Sequence, residues 1–310
     1  MTDLERPEIS VVIPCRNEEA NVDAIAAAAI AELQSHASSY EIIFIDNGSS
    51  DRTVELVKAL CEQNPSVRLI VNNRNFGQAR SPTYAIYQTR GRAVIGLCAD
   101  FQDPPVMIGQ FIERWRAGAK IVLGVRDAEE SPLGVKLART IGYGLLNRLG
   151  DYPVIRGATG FGLYDRAVVD SLAKWKEPEP FFRGMLVESG YSIDLIPYHR
   201  PERAAGRSNN NLFTSLDFAL LAFAGSAKLW LRLPIVLSLF IFGISGLSVV
   251  AAVSLFALGR SPWGALLFAA LELGFATVLF FIGLIGDQVR VISERTRNVP
   301  LVLEKERINF

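Results

Sequence analysis

The sequence is poor in the side chains that most often carry acid–base and metal chemistry. In 310 residues there are two histidines, His36 and His199, and three cysteines, Cys15, Cys61 and Cys98. The cysteines lie far apart with no metal-ligand spacing, which argues against a thiolate metal site and a disulfide framework and fits a reducing compartment. The two histidines read as structural or surface groups. Neither sign of charge is in excess: 32 Lys+Arg stand against 32 Asp+Glu. That balance argues against nucleic acid as a partner. No Gly-x-Gly-x-x-Gly turn follows the first apolar run, and no Gly-Lys-Ser/Thr loop occurs, which disfavours a classical dinucleotide fold and a P-loop NTPase. No internal repeat stands out, and the polar stretch 1–7 does not read as a signal peptide.

Apolar residues, by contrast, are abundant. They make up 50% of the chain, and the excess concentrates in 233–285. Before that region, apolar runs at 8–14, 41–46, 67–71, 93–97 and 120–124 alternate with helical patterns such as the Ala-rich 20–36 and 53–63. This alternation predicts an α/β domain with a doubly wound, mostly parallel sheet. Polar clusters follow the first, second and fourth runs. Parallel strands bring such ends to one sheet edge, where open α/β sheets bind ligands.

The most informative cluster is Cys98-Ala99-Asp100-Phe101-Gln102-Asp103-Pro104-Pro105. It stands between the fourth strand and a helix expected over 106–117, with the prolines suited to a helix start. Asp100 and Gln102 both offer oxygen, which hard cations such as Mg²⁺ prefer. Two readings stand at this point: a metal–diphosphate site, or a solvated loop of helix-capping groups. Residues 134–149 are amphipathic and basic, suiting either a membrane surface or an ordinary packed helix. Residues 200–208 hold Arg200, Arg203 and Arg207, an anion-binding loop or a solvated linker.

Residues 233–258 form a run of 26 without a charge, and 263–285 a run of 23 with only Glu272. A spanning helix needs about 20 apolar residues, so a two-helix transmembrane hairpin is predicted, with an interfacial helix over 211–232 leading into it. Lys228 and Arg232 before it, and Arg290, Arg295 and Arg297 after it, outnumber the Arg260 of the connecting turn. The basic flanks therefore place both termini in the cytoplasm. Glu272 falls near mid-membrane and is assigned to helix or subunit packing. Gly243, Gly246 and Gly274 would permit close helix contact in a homo-oligomer. The predicted organisation is a cytoplasmic α/β domain 1–210, the interfacial helix 211–232, the hairpin 233–286 and a cytoplasmic tail 287–310.

Three segments taken in order, Val11-Val12-Ile13-Pro14-Cys15-Arg16-Asn17-Glu18, Asp46-Asn47-Gly48-Ser49-Ser50-Asp51 and Ala99-Asp100-Phe101-Gln102-Asp103-Pro104-Pro105, resemble family 2 glycosyltransferases. With the C-terminal hairpin, the resemblance is to the polyprenyl-phosphate type and covers nearly the whole chain. It implies a GT-A fold, a nucleotide sugar donor with a UDP-sugar favoured, a polyprenyl phosphate acceptor such as undecaprenyl phosphate, Mg²⁺ or Mn²⁺, inversion at the anomeric carbon and the bacterial inner membrane. It assigns Pro14, Arg16 and Glu18 to the nucleoside pocket, Asp46 and Asn47 to base or ribose, and Asp100 and Gln102 to the metal. Arg126 matches a family arginine near the phosphates. Lys136 or Arg139 would meet the acceptor phosphate, and Thr159-Gly160-Phe161 resembles the family's Ser-Gly-Phe segment. Arg183 and the loop from Arg203 to Ser208 resemble phosphate-binding and active-site loop segments. The sequence departs from the family at Asn47 and Cys98, where carboxylates are usual, and at Asn209, where a lysine is usual. Two other readings stand beside this one: a different glycolipid or polysaccharide acceptor, or a nucleotide-sugar-binding scaffold without turnover.

Overall fold

The computed structural model describes residues 6–126, 155, 157–199, scattered helical positions between 267 and 296, and 300–310. The strands are β1 (Ile9–Cys15), β2 (Tyr40–Asp46), β3 (Val67–Asn72), β4 (Ala93–Gly96), β5 (Ile121–Arg126), β6 (Ala158–Asp165), β7 (Ile193–Tyr198) and β8 (Glu304–Ile308). The helices are α1 (Val22–His36), α2 (Thr53–Gln63), α3 (Gly77–Gln88), α4 (Met107–Arg116), α5 (Arg166–Ala173) and α6 (Phe182–Glu188). The strands form one sheet in the order β7-β5-β6-β4-β1-β2-β3-β8.

Side-chain alternation along the strands makes two apolar faces. Ile9, Val11, Ile13, Ile42, Phe44 and Leu69 belong to one core, which α1, α2 and α4 cover with residues such as Ile25, Leu33, Val57 and Phe111. Val12, Ile43, Ile45 and Ile70 belong to the other, shared with Ala85 and Ile86 of α3 and Val168 and Leu172 of α5. Burying each such aliphatic side chain contributes about 1.5–3 kcal/mol. In α1 the buried residues Val22, Ile25, Ala26, Ala29 and Leu33 recur at helical spacing, so a single stripe suffices. His36, at the end of that helix, packs on Gly109, where a Cβ would lie 2.7 Å from Nε2. Its role among the described residues is packing, as expected from the sequence.

Strand direction, more than strand order, decides which loops meet. β1 runs parallel to β2 and β4, and β2 to β3. β6 is antiparallel to both β4 and β5, and β7 is parallel to β5. The C-terminal ends of β1 to β5 and β7, and the start of β6, therefore share one edge.

The structure differs from the sequence expectation at the C-terminus. Instead of a tail separate from the α/β domain, residues 304–308 are strand β8, antiparallel to β3. Lys58 pairs with Glu306 at 2.6 Å, Asn309 donates to the carbonyls of Cys61 and Val67, and Arg80 donates to Pro300. Charged β8 covers what would otherwise be an open edge. Among the described residues no helix is long and apolar enough to cross a membrane. The run 233–258 and most of 263–285 lie outside them, as do the segments 134–149 and 211–232.

Near the start of β2, Glu41, 1% exposed, ties that strand to β1, to β3 and to the turn before β4. Ser10 Oγ donates to its Oε1 at 2.6 Å, Arg90 N donates to the same oxygen at 2.6 Å, and Arg68 pairs with Oε2 at 2.8 Å. Glu41→Ala is expected to destabilise the domain by about 3–5 kcal/mol, since it strands the largely buried Arg68 charge. Urea unfolding followed by tryptophan fluorescence measures it.

Candidate active site

The loops leaving β1 and β2 lock into each other. Asn17 N donates to Ser49 Oγ at 2.9 Å, and Asn17 Oδ1 accepts from Ser50 N at 2.8 Å. Glu18 N donates to Thr53 Oγ1 at 2.9 Å and Arg52 N to Glu19 Oε2 at 3.1 Å. Asn17 holds φ 57°, a region asparagine tolerates better than most residues. This interlock fixes Pro14, Arg16 and Glu18 at the shared edge. Arg16 is exposed and, among the described residues, has no polar partner. Glu18 accepts from Asn21 Nδ2 at 2.6 Å.

Asp46, 1% exposed, closes the turn after β2. Its carboxylate accepts from the amides of Gly48 and Ser49 at 3.0 and 3.1 Å and from the Ser49 hydroxyl. Gly48 sits at φ 76°, and a Cβ there would meet Asn75 N at 2.9 Å, so the turn packs directly on the loop after β3. Asn47 joins the two. Its Nδ2 donates to Asn75 Oδ1 and Gly77 O, and its Oδ1 accepts from Phe76 N and Asn72 Nδ2. These bonds hold Asp46 and Asn47, the two residues to which the resemblance assigns the base or ribose. Both are buried and hold the loops that frame the edge. A carboxylate at 47 would face two oxygen acceptors, which accounts for asparagine at this position.

The loop after β4 carries the candidate metal oxygens. Asp100 and Gln102 are half-buried, and Gln102 N donates to Asp100 Oδ1 at 3.2 Å. Between them Phe101 is at φ 61°, an unusual conformation for an aromatic residue. Such strain persists only where the surroundings hold it. The helix starts at Met107, with Pro104 and Pro105 in the preceding turn, their carbonyls accepting from Met107 and Ile108. Among the described residues no three His, Cys, Asp or Glu side chains converge as an all-protein metal cage. One carboxylate and one amide oxygen do fit a divalent cation whose other positions are filled by phosphate and water, as Mg²⁺ sites usually are.

Arg126 ends β5, opposite Tyr198 of β7 in the register. Its Nε is buried with no hydrogen-bond partner among the described residues, a donor suited to an anion. Arg183 donates to Ala158 O at 3.4 Å and lies over the Phe181 ring, 4.7 Å from its centroid. Thr159 and Gly160 begin β6 at the same edge. Lys136, Arg139, Arg203 and Ser208 lie outside the described residues. The described part of the edge thus brings together Arg16, Glu18, Asp100, Gln102 and Arg126.

Two residues here were not singled out from the sequence. Asp103 is 2% exposed, and Tyr198 Oη donates to its Oδ1 at 3.1 Å. The Cys98 thiol lies near the same carboxylate. Burial raises the Asp103 pKa above the usual carboxylate range, against the lowering effect of Cys98, Tyr198 and Arg126. Burial, with Asp103 nearby, pushes Tyr198 up to about 12, so its hydroxyl keeps its proton at neutral pH. The only signal for either in sequence was Asp103's place just after Gln102.

The family-level match for glycosyl transferase family 2 spans residues 10–172. The chain belongs to glycosyltransferase family 2. The bactoprenol glucosyl transferase of Shigella phage SfX is 30% identical over 97% of this chain and 99% of its own length. An uncharacterised glycosyltransferase of Synechocystis is 28% identical over 96% of this chain and 94% of its own. The crystal structure of glucosyl-3-phosphoglycerate synthase from Mycobacterium tuberculosis, with Mn²⁺, UDP and phosphoglyceric acid, superposes with a TM-score of 0.52. At 17% identity, covering 72% of this chain and 78% of that one, it shows the shared GT-A fold. The chain is a family 2 glycosyltransferase with a mostly parallel α/β sheet.

Cys98, which stands where the family usually has a carboxylate, is exposed. Desolvation of the thiol, together with Asp103 and Asp100, pushes its pKa well above that of an ordinary thiol. Only the thiolate reacts with iodoacetamide, so Cys98 is expected to alkylate at least tenfold more slowly at pH 7.5 than the same site in urea. Peptide mass spectrometry over a time course measures this, and the rate should climb only at strongly alkaline pH.

Proposed function

We propose that this glycosyltransferase moves a single sugar from a nucleotide sugar, with a UDP-sugar favoured, onto a polyprenyl phosphate such as undecaprenyl phosphate. The observation that carries the reading is the convergence of Asp100, Gln102 and Arg126 at one sheet edge, in a chain similar over nearly its full length to a bactoprenol glucosyl transferase. In the proposed reaction a phosphate oxygen of the acceptor attacks the anomeric carbon from the face opposite the leaving diphosphate. The new C–O bond forms as the bond to the diphosphate breaks, with inversion, and the nucleoside diphosphate leaves.

The acceptor needs no strong base. A phosphate monoester has a second pKa of about 6 and is already an oxyanion at neutral pH. The difficulty is electrostatic, because one anion must approach another. Arg126 offers its buried Nε to the phosphates, and Arg16 stands open at the β1 end. Asp100 and Gln102 would hold Mg²⁺ or Mn²⁺, which when bound neutralises the diphosphate and stabilises it as a leaving group. Lys136, Arg139, Arg183 and Arg203 are the remaining basic candidates for the acceptor phosphate, and Ser208 belongs to the same proposed loop. Asp46 and Asn47 serve by shaping the nucleotide side.

The two uncharged runs support a membrane hairpin at the inner membrane with the catalytic domain in the cytoplasm. Described helical positions of the second run, including Leu267, Leu271, Val278 and Ile285, are exposed large hydrophobics, which suits lipid contact.

The test is transfer of radiolabel from a panel of nucleotide sugars into an organic-extractable product, using purified protein, undecaprenyl phosphate and Mg²⁺ or Mn²⁺. Label from one donor is expected to enter the organic phase, and Asp100→Asn to lower the rate at least about 100-fold, or roughly 2.7 kcal/mol. No extractable label from any donor, with nucleotide binding intact, points to a different acceptor or to a scaffold.

A further inference from the structure

The edge opposite the candidate active site carries a cleft of its own. Among the described residues Glu8, Arg92, Trp115, Arg116 and Asp165 line a space of about 440 Å³. Glu8 stands just before β1 and Arg92 just before β4. Asp165 ends β6, which runs antiparallel to β4, and Trp115 and Arg116 close α4. All five therefore lie where the parallel strands begin. β1 has seven residues, so roughly 20 Å of strand separates this cleft from the edge that holds Asp100 and Arg126.

The acceptors in the lining are already engaged. Glu8 Oε1 accepts from Arg116 Nε and Nη2 at 2.9 and 2.7 Å, and its Oε2 accepts from the amide and hydroxyl of Ser38 at 2.7 and 2.8 Å. Asp165 Oδ2 accepts from Trp115 Nε1 at 2.9 Å and pairs with Lys120 at 3.1 Å, while its Oδ1 accepts from Ala167 N at 3.0 Å. Burial acts to raise both carboxyl pKa values, but these bonds outweigh it and hold each below its ordinary value. Glu8 and Asp165 are thus ionised at neutral pH, with Arg116 and Lys120 as their counter-charges.

The donors are less fully used. The backbone of Arg92 is fixed, its N–H donating to Pro7 O at 3.0 Å and its carbonyl accepting from Arg166 N at 2.9 Å. Its guanidinium lies over the Trp115 ring, 5.7 Å from the centroid. Among the described residues it has no hydrogen bond or ion pair, and Arg116 Nη1 has none either. Arg92, Arg116 and Lys120 outnumber Glu8 and Asp165 by one charge. A lining with its acceptors spent and cationic N–H groups to spare selects by sign: an anion brings the acceptors that it lacks. A guanidinium binds a carboxylate or a phosphate through two parallel bonds. A carboxylate spends both oxygens on that fork, whereas a phosphate keeps a further oxygen for Arg116 Nη1.

We propose that this cleft is a second anion site, which binds a soluble phosphate-bearing small molecule through Arg92 and Arg116. Its volume falls in the range of small-molecule pockets. The inference stands apart from the transferase reading, since none of its residues belongs to the edge that carries Asp100 and Arg126.

The experiment footprints arginines in the full chain, purified in a phosphate-free detergent with EDTA present. Phenylglyoxal modifies accessible guanidinium groups, and peptide mass spectrometry follows Arg92 and Arg114 separately as inorganic pyrophosphate is added. About 5 mM pyrophosphate is expected to slow modification of Arg92 at least fivefold, as a Kd near 1 mM requires. Arg114, exposed but outside the lining, should be unaffected, and acetate at the same concentration should not protect Arg92. Protection should persist in Arg126→Ala, which separates the cleft from the opposite edge. Calorimetry in that background reads the affinity, and adding Arg92→Ala should weaken it at least about tenfold, the loss expected for a hydrogen bond to a charged group. The melting temperature should stay within a few degrees, because the Arg92 side chain contacts one ring face. Unchanged modification of Arg92 under pyrophosphate, equal protection by acetate, loss of protection in Arg126→Ala, or undiminished affinity in Arg92→Ala overturns the proposal. So does protection seen only in phosphatidylglycerol nanodiscs without added pyrophosphate, which would assign the cleft to a lipid headgroup.

Discussion

A parallel sheet delivers its strand ends to one edge, and the polar backbone leaving that edge has to find partners. Much of what is distinctive in this protein answers that requirement. Asn17 and Asn47 bind neighbouring loops to one another, Asp46 closes its own turn, and Asp51 and Asn75 accept from the first residues of α2 and α3. The result is an edge whose backbone is largely satisfied before any ligand arrives. Among the described residues the edge keeps two cationic groups in reserve, the exposed Arg16 and the unpartnered Nε of Arg126. That division is what an anionic donor requires. A site that must reorganise to accept a diphosphate loses part of the binding energy to ordering, whereas a preset one does not.

Asn47 and Cys98 take on meaning in this setting. Each stands where the family usually places a carboxylate. The first is a four-bonded hub, and the second is a protonated thiol beside a buried carboxylate. Neither position adds negative charge to the edge, so Asp100 is the acidic group of the metal-side loop nearest the proposed diphosphate. Fewer carboxylates weaken the hold on a free cation but also reduce repulsion of a phosphate. A cation arriving already bound to the nucleotide suits such a site better than one held by protein alone.

Much of this could be read in the sequence. The β1 to β5 runs declared themselves because fully buried parallel strands are continuous apolar stretches, as in Val11-Val12-Ile13 and Ile42-Ile43-Phe44-Ile45. The Asp100 and Gln102 loop was readable because it combines a strand end, hard oxygen donors and a double proline. β6, with its glycines at 160 and 162, and β7, with exposed Leu195 and Pro197, lack that signature. β8 reads Glu-Lys-Glu-Arg-Ile, a charged stretch whose strand conformation comes from pairing with β3 and from ion pairs such as Lys58–Glu306. The Asp103–Tyr198 contact joins residues 95 apart, and nothing local in either segment announces a partner at that distance.

The position of β8 also sets an order of events during synthesis. Lys58, beside the strand that β8 covers, and its partner Glu306 are separated by 248 residues. At ordinary translation rates the interval between their emergence is roughly 10–50 s. Throughout it the outer edge of β3 has formed no pairing on that side, and an open edge can recruit a strand from another chain. The nascent domain therefore spends most of its synthesis in an unfinished state that is complete in its central strands and open at its rim. β8 is the last strand of this sheet in chain order, so closure of the sheet reports that the ribosome has read through to the end of β8. A prematurely terminated product would keep the open edge and be distinguishable on that basis by chaperones and proteases.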